Sequence, residues 1–186
     1  MTTEDRRAGI DWPNQAVEQL DWHWRTQLRP RLDGLTDAEY LWEPASGAWN
    51  VHLAQDGGAA TIDFAYPEPR PAPLTTIAWQ LAHVIVGCLG ARTASHFGGP
   101  PVEYDTFPYA ATADAALVQL DEAYARWLAG VRGWQADGSM GVLVGPAEGS
   151  WADYPRGALV LHISREVIHH GAHVAVLRDL WAHRND

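Results

Sequence analysis

Between Ile77 and Ala91 only two side chains, those of Gln80 and His83, are polar. A helix that is apolar nearly all round belongs in an interior with other elements packed on every side, and this run is too short to span a bilayer. Thr75 or Thr76 offers an N-cap at its start, and Gly98-Gly99-Pro100-Pro101 stops it after His96. The rest of the chain must therefore supply amphipathic partners for a central helix.

Three further segments have the required period. Over about residues 14–33, Val17, Leu20, Trp24, Leu28 and Leu35 recur at three- and four-residue spacing, and Asp33-Gly34 closes the segment. Over about 112–134, Leu117, Leu120, Tyr124, Leu128 and Val131 share a face. The last helix starts near Pro155, with Asp153 as its expected cap, and runs to about Ala182. Thr36-Asp37-Ala38-Glu39 has the spacing of a capping box and predicts one or two helical turns before Pro44.

Pro44, Pro67, Pro69, Pro71 and Pro73, with Gly47, Gly57 and Gly58, exclude a continuous helix between Glu43 and Leu74. The β-branched and aromatic residues around Trp49–His52 and Ala60–Tyr66 suit a small hairpin there. So long a connection is uncommon in a compact domain unless it has a task such as a lid or a site wall. The expected fold is all-α, a four-helix bundle with long connections and one small hairpin between the first two helices, in a single domain over residues 1–186.

With 47% hydrophobic and 19% charged residues, the chain is far from the composition of disorder. Its net charge of −10, from 23 acidic against 13 basic side chains, argues against nucleic acid and anionic membrane as partners. The polar start MTTEDRRAGIDW does not read as a signal peptide, and the expected location is the cytoplasm. The single cysteine, Cys88, lies in an apolar run and reads as a buried packing residue. Of the 10 tryptophans, Trp24 and Trp79 fall on core faces, while Trp49 and Trp151 lie in loops that could border a pocket mouth or cover a bundle end.

The stretch LVLHISREVIHHGAHVAVLRDLW of the last helix carries the chemistry. Counting about 100° per residue from Leu159, Ile163, Val174 and Leu177 fall within about 60° and define the apolar stripe, with Glu166 and His170 at about −20° and +20°. A carboxylate in an apolar interior needs a cation or a metal, and no Lys or Arg shares the stripe. Residues at i and i+4 can share one ion, and His83 of the buried helix is the natural third donor. His173 and then His162 flank the pair as substitute ligands, supporting donors or proton carriers; His23, His52, His96 and His183 read as solvated. Residue types and spacing leave two readings open, a divalent metal or a metal-free His–Glu–His hydrogen-bond network.

DWHWRTQLRPRLDGLTDAEYLWEPASGAWNV, TIAWQLAHVIVGCLGAR and HISREVIHHGAHVAVLRDLW together resemble the DinB-like superfamily, which includes mycothiol-dependent maleylpyruvate isomerase-like proteins. The resemblance covers most of the chain. It implies a four-helix bundle with a metal bound at His83, Glu166 and His170, zinc before nickel or iron, and a homodimer. Glu at the first position of the last-helix pair resembles the isomerase-like branch, and that branch implies a low-molecular-weight thiol as cosubstrate for a transferase or isomerase acting on a small molecule. A metal-dependent hydrolase, or a non-catalytic metal-binding bundle serving stability, dimerisation or sensing, would use the same donors. Where many relatives read HHGAE this chain reads HHGAH, so His173 departs from the pattern as either a fourth nitrogen donor or a neighbouring base. With Glu166 engaged as a ligand, His173 is the candidate catalytic base.

Overall fold

The computed structural model describes residues 9–54 and 59–185. Gly57, Gly58 and the first eight residues of the polar N-terminus lie outside the described part. Among the described residues four long helices form a bundle: α1 over residues 12–31, α3 over 77–97, α4 (Ala113–Ala136) and α5 (Arg156–Ala182). A single-turn helix α2 (Asp37–Tyr40) follows α1, and β1 (Val51–His52) pairs antiparallel with β2 (Thr61–Ile62) in the α1–α3 connection. The all-α bundle with one small hairpin is the fold the periodicity predicts. No helix of the described residues is long and apolar enough to cross a membrane.

Helices α1 and α3 lie diagonally across the bundle, and each packs against both α4 and α5. The core is a continuous cluster that includes Leu28, Leu32, Ile77, Val86, Leu120, Trp127, Ile163 and Val167. Trp24 stacks on Tyr124 with ring centroids 3.8 Å apart, joining α1 to α4. At Gly171 an added Cβ would sit 2.9 Å from Leu28 Cδ1, so glycine is what lets α1 and α5 approach this closely.

Two helices change pitch. Residues Trp24–Leu28 of α1 are π-helical, immediately before Pro30, which has no N–H for the ladder and whose ring crowds the preceding turn. In α3, Val84–Gly90 is π-helical between the α-helical segments Ile77–His83 and Ala91–Phe97.

The caps follow the residue chemistry in most places. The Thr36 and Thr76 hydroxyls accept from the backbone N–H of Glu39 and Trp79, at 3.3 and 3.1 Å. The Thr76 hydroxyl also donates to Asn50 Oδ1 at 2.8 Å, tying the long connection to the start of α3. Asp153 does not cap α5. Pro155 is the N-cap residue without a side-chain bond, and the Arg156 N–H is taken instead by the Val142 carbonyl at 2.8 Å. His96 is not solvated: its side chain is 6% exposed, bonded to Glu148 at 2.9 Å and set edge-on to Trp134.

Candidate metal centre

His83 on α3 and Glu166 and His170 on α5 come together where these two helices pack. One ligand atom from each, and the Cys88 thiol with them, all lie within 4.8 Å of one another. The rings of His83 and His170 are 4.3 Å apart, and Glu166 Oε2 lies 3.6 Å from His170 Nε2. Cys88, which its apolar surroundings mark as a packing residue, is buried at 3% exposure and faces this group.

The buried line of α5 runs through Val160, Ile163, Val167, Gly171 and Val174. With the buried Leu159, Ser164 and Leu177 included, the buried side is centred about 40° round from the middle of the stripe counted from Leu159. Glu166 and His170 therefore stand at the rim of the core, with side chains 28% and 12% exposed, where a small molecule can reach them. Glu166 is not without a cation either, since Arg165 Nε lies 3.7 Å from its Oε1.

Both imidazoles are held through Nδ1. Gln80 Oε1 accepts from His170 Nδ1 at 2.6 Å, while Gln80 Nε2 donates to Thr75 Oγ1 at 2.7 Å and approaches His173 Nδ1 at 3.3 Å. Tyr104, from the α3–α4 connection, places its hydroxyl 2.6 Å from His83 Nδ1. The Gln80 oxygen can only accept, so His170 Nδ1–H donates to it and the ring keeps its Nε2 lone pair for an ion; the tautomer of His83 that donates from Nδ1 to the Tyr104 oxygen would do the same. Trp79 lies parallel to the His83 ring at 5.3 Å, and Phe64 from the long connection stacks on Tyr104 at 4.5 Å, so that connection walls the site.

This donor set, two imidazole nitrogens and a carboxylate with a sulfur beside them, fits a divalent transition metal. Burial pushes His83 below the ordinary imidazole value, partly opposed by Glu166 and reinforced by Arg92. His170 is pushed down to about 3, by burial first and then by the neighbouring His83, His169 and His173. Neutral imidazoles are the form that binds a metal.

His173 stands outside the group. It is exposed on α5, approaches Gln80, which also holds His170, and lies edge-on to the His170 ring at 6.2 Å. The residues that sequence reasoning left without a role are Gln80, Tyr104, Gly87 and Cys88. An ideal Cβ on Gly87 would fall 2.1 Å from the Tyr104 hydroxyl, so the ring that steadies His83 occupies the space a side chain would need. A glycine inside so apolar a helix was the available signal, since it weakens a helix and persists where something packs close.

Beside Glu166 is a cavity of about 340 Å³ whose lining includes Arg92, Trp151, Tyr154, His162 and Arg165. It combines an apolar wall with cationic and hydrogen-bonding groups next to the candidate centre.

The family model of the DinB superfamily matches residues 19–174. No curated protein and no solved structure gives a significant match. The match takes in most of the chain, all of α3 and α4 and the greater part of α1 and α5, and the chain belongs to the DinB superfamily.

Proposed function

We propose that this member of the DinB superfamily is a metal-dependent enzyme whose divalent ion, zinc before nickel or iron, is held by His83, Glu166 and His170. Its reaction is the transfer or isomerisation of a small molecule with a low-molecular-weight thiol of the mycothiol type. The observation that carries the reading is the convergence of one donor atom each from His83, Glu166 and His170 within 4.8 Å, with Gln80 Oε1 holding His170 through Nδ1 so that its Nε2 faces the Glu166 carboxylate.

When bound, the ion supplies a Lewis-acid centre that favours the thiolate over the thiol. The protein's own part is to hold the donors, to admit substrate through the cavity beside Glu166, and to handle protons. His173 is the proposed base, exposed to solvent and in contact with Gln80, the residue that fixes His170. Arg165 and His162 at the cavity wall orient an incoming polar group. The same donors would serve a hydrolase. The proposal also includes a homodimer, for which the exposed Leu161, Ile168, Val176 and Leu180 of α5 offer a surface; sedimentation of the purified chain tests it.

Metal analysis of wild type, His83→Ala and His170→Ala tests the centre. Stoichiometric metal is expected in wild type and its loss in both variants, whereas a wild type that stays metal-free after supplementation rejects the reading. A thiol-consumption screen with mycothiol and varied electrophiles, with and without chelator, tests the chemistry. Turnover abolished by chelator is expected, and thiol-independent hydrolysis would move the assignment to the hydrolase.

A further inference from the structure

His83 and Cys88 are five residues apart, and on a regular α-helix five residues turn the chain by about 500°, leaving the two side chains roughly 140° apart. The structure removes that separation. Val84–Gly90 is π-helical, with the Ala91 N–H bonded to the Val86 carbonyl, and in this ladder residues five apart come one above the other. Cys88, while part of the core cluster, is thereby brought onto the side of the helix that carries His83, and its sulfur joins the 4.8 Å group with the donors of His83, Glu166 and His170.

The neighbourhood of the widened turn is built to suit it. Gly87 leaves room for the Tyr104 hydroxyl, and an added Cβ at Gly90 would lie 2.6 Å from the Ile85 carbonyl oxygen and 2.8 Å from Val102 Cγ1. The Gly87 carbonyl accepts from Arg92 Nη1 at 2.6 Å. A π-helical segment inside a longer helix lowers stability and recurs at functional sites. Its local effect here is to deliver a sulfur to three other metal-binding side chains.

We infer that Cys88 Sγ is a fourth protein donor to the ion, completing a centre of two nitrogens, one oxygen and one sulfur; the inference rests on the metal reading above. The S–H proton leaves to solvent as the sulfur–metal bond forms. A thiolate in the set favours zinc or cobalt over magnesium, calcium or manganese. Four protein donors also fill a tetrahedron, so a substrate thiol must enter as a fifth ligand or take the place of Cys88.

The test uses the full chain, stripped with chelator and reloaded with Co²⁺. The expected spectrum has a near-ultraviolet thiolate-to-cobalt charge-transfer band together with the visible bands of bound cobalt. In Cys88→Ser and Cys88→Ala the charge-transfer band disappears, the visible bands remain, and zinc affinity by competition falls at least about tenfold. Circular dichroism confirms that each variant is folded, and the two substitutions guard against one failing to fold. Bound cobalt in wild type with no charge-transfer band, or a band unchanged in both variants, overturns the inference and leaves the three-ligand centre standing. A wild type that binds neither cobalt nor zinc overturns the metal reading and the inference with it.

Discussion

Gln80 is buried in α3, and its amide joins Thr75 to His170. Replacing it by Leu keeps the volume roughly constant but frees the His170 ring and strands the Thr75 hydroxyl. Metal affinity of Gln80→Leu is expected to fall about 10–100-fold, measured by competition with a chromophoric chelator. Stability should drop by about 1–3 kcal/mol in a urea titration. His170 also sets a pH dependence. In the metal-free protein it is held down to about 3, against an ordinary value of 6.5, so between those values the unfolded chain binds a proton that the folded chain does not. Stability contributed by the neutral ring is full above about pH 6.5 and is lost as pH falls toward 3. His83 and His173, also lowered by burial, act in the same sense. The urea midpoint of the metal-free protein should decline from pH 7 to pH 4, and His170→Gln should make that decline shallower.

The helix ends and turns of α3 and α5 show what a single substitution can do to an element. Gly87→Ala places a methyl where the Tyr104 hydroxyl sits, so Tyr104 must move off His83. A cost of about 1–3 kcal/mol is expected, together with weaker metal binding, checked by thermal melts with and without zinc. At the other end of α5, Arg178 donates to the buried Glu39 carboxylate of α2 at 2.8 Å and to the Arg31 and Asp33 carbonyls at the end of α1. The Thr36–Glu39 capping box is therefore only half closed: Thr36 caps, but Glu39 points to Arg178. Arg178→Ala leaves a buried carboxylate without its partner, and a loss of about 3–5 kcal/mol is expected in chemical denaturation, with the metal centre intact.

At the scale of the whole molecule, α3 is the element on which the centre and the core both depend. It supplies Gln80, His83 and Cys88 while packing against α4 and α5. On the proposed reading, an ion bridging α3 and α5 would bind the folded state alone, so that loading couples to global stability. With free zinc at about 100 times its dissociation constant the gain is about 2.7 kcal/mol. Chelator should lower the melting temperature of wild type accordingly and leave His170→Ala unmoved. A wild type with no shift would place the ion, if bound, outside the bundle core.

The sequence by itself determined the four long helices, the caps Thr36 of α2 and Thr76 of α3, and the adjacency of Glu166 and His170, because helical period and i, i+4 spacing are local properties of the chain. It also marked His83 as the one imidazole in the apolar run from Ile77 to Ala91. Tertiary structure decided the rest. Glu166 and His170 lie at the rim of the core because the buried line of α5 is set by contact with α1 and α3, and no wheel counted from one residue contains that information. Tyr104 and Phe64 reach the site from irregular connections that have no period to read. His96 is buried because Glu148 and Trp134, distant in sequence, enclose it. Cys88 joins the group because the π-helical turn changes the pitch of α3, and a fixed 100° count assigns that residue to the wrong face.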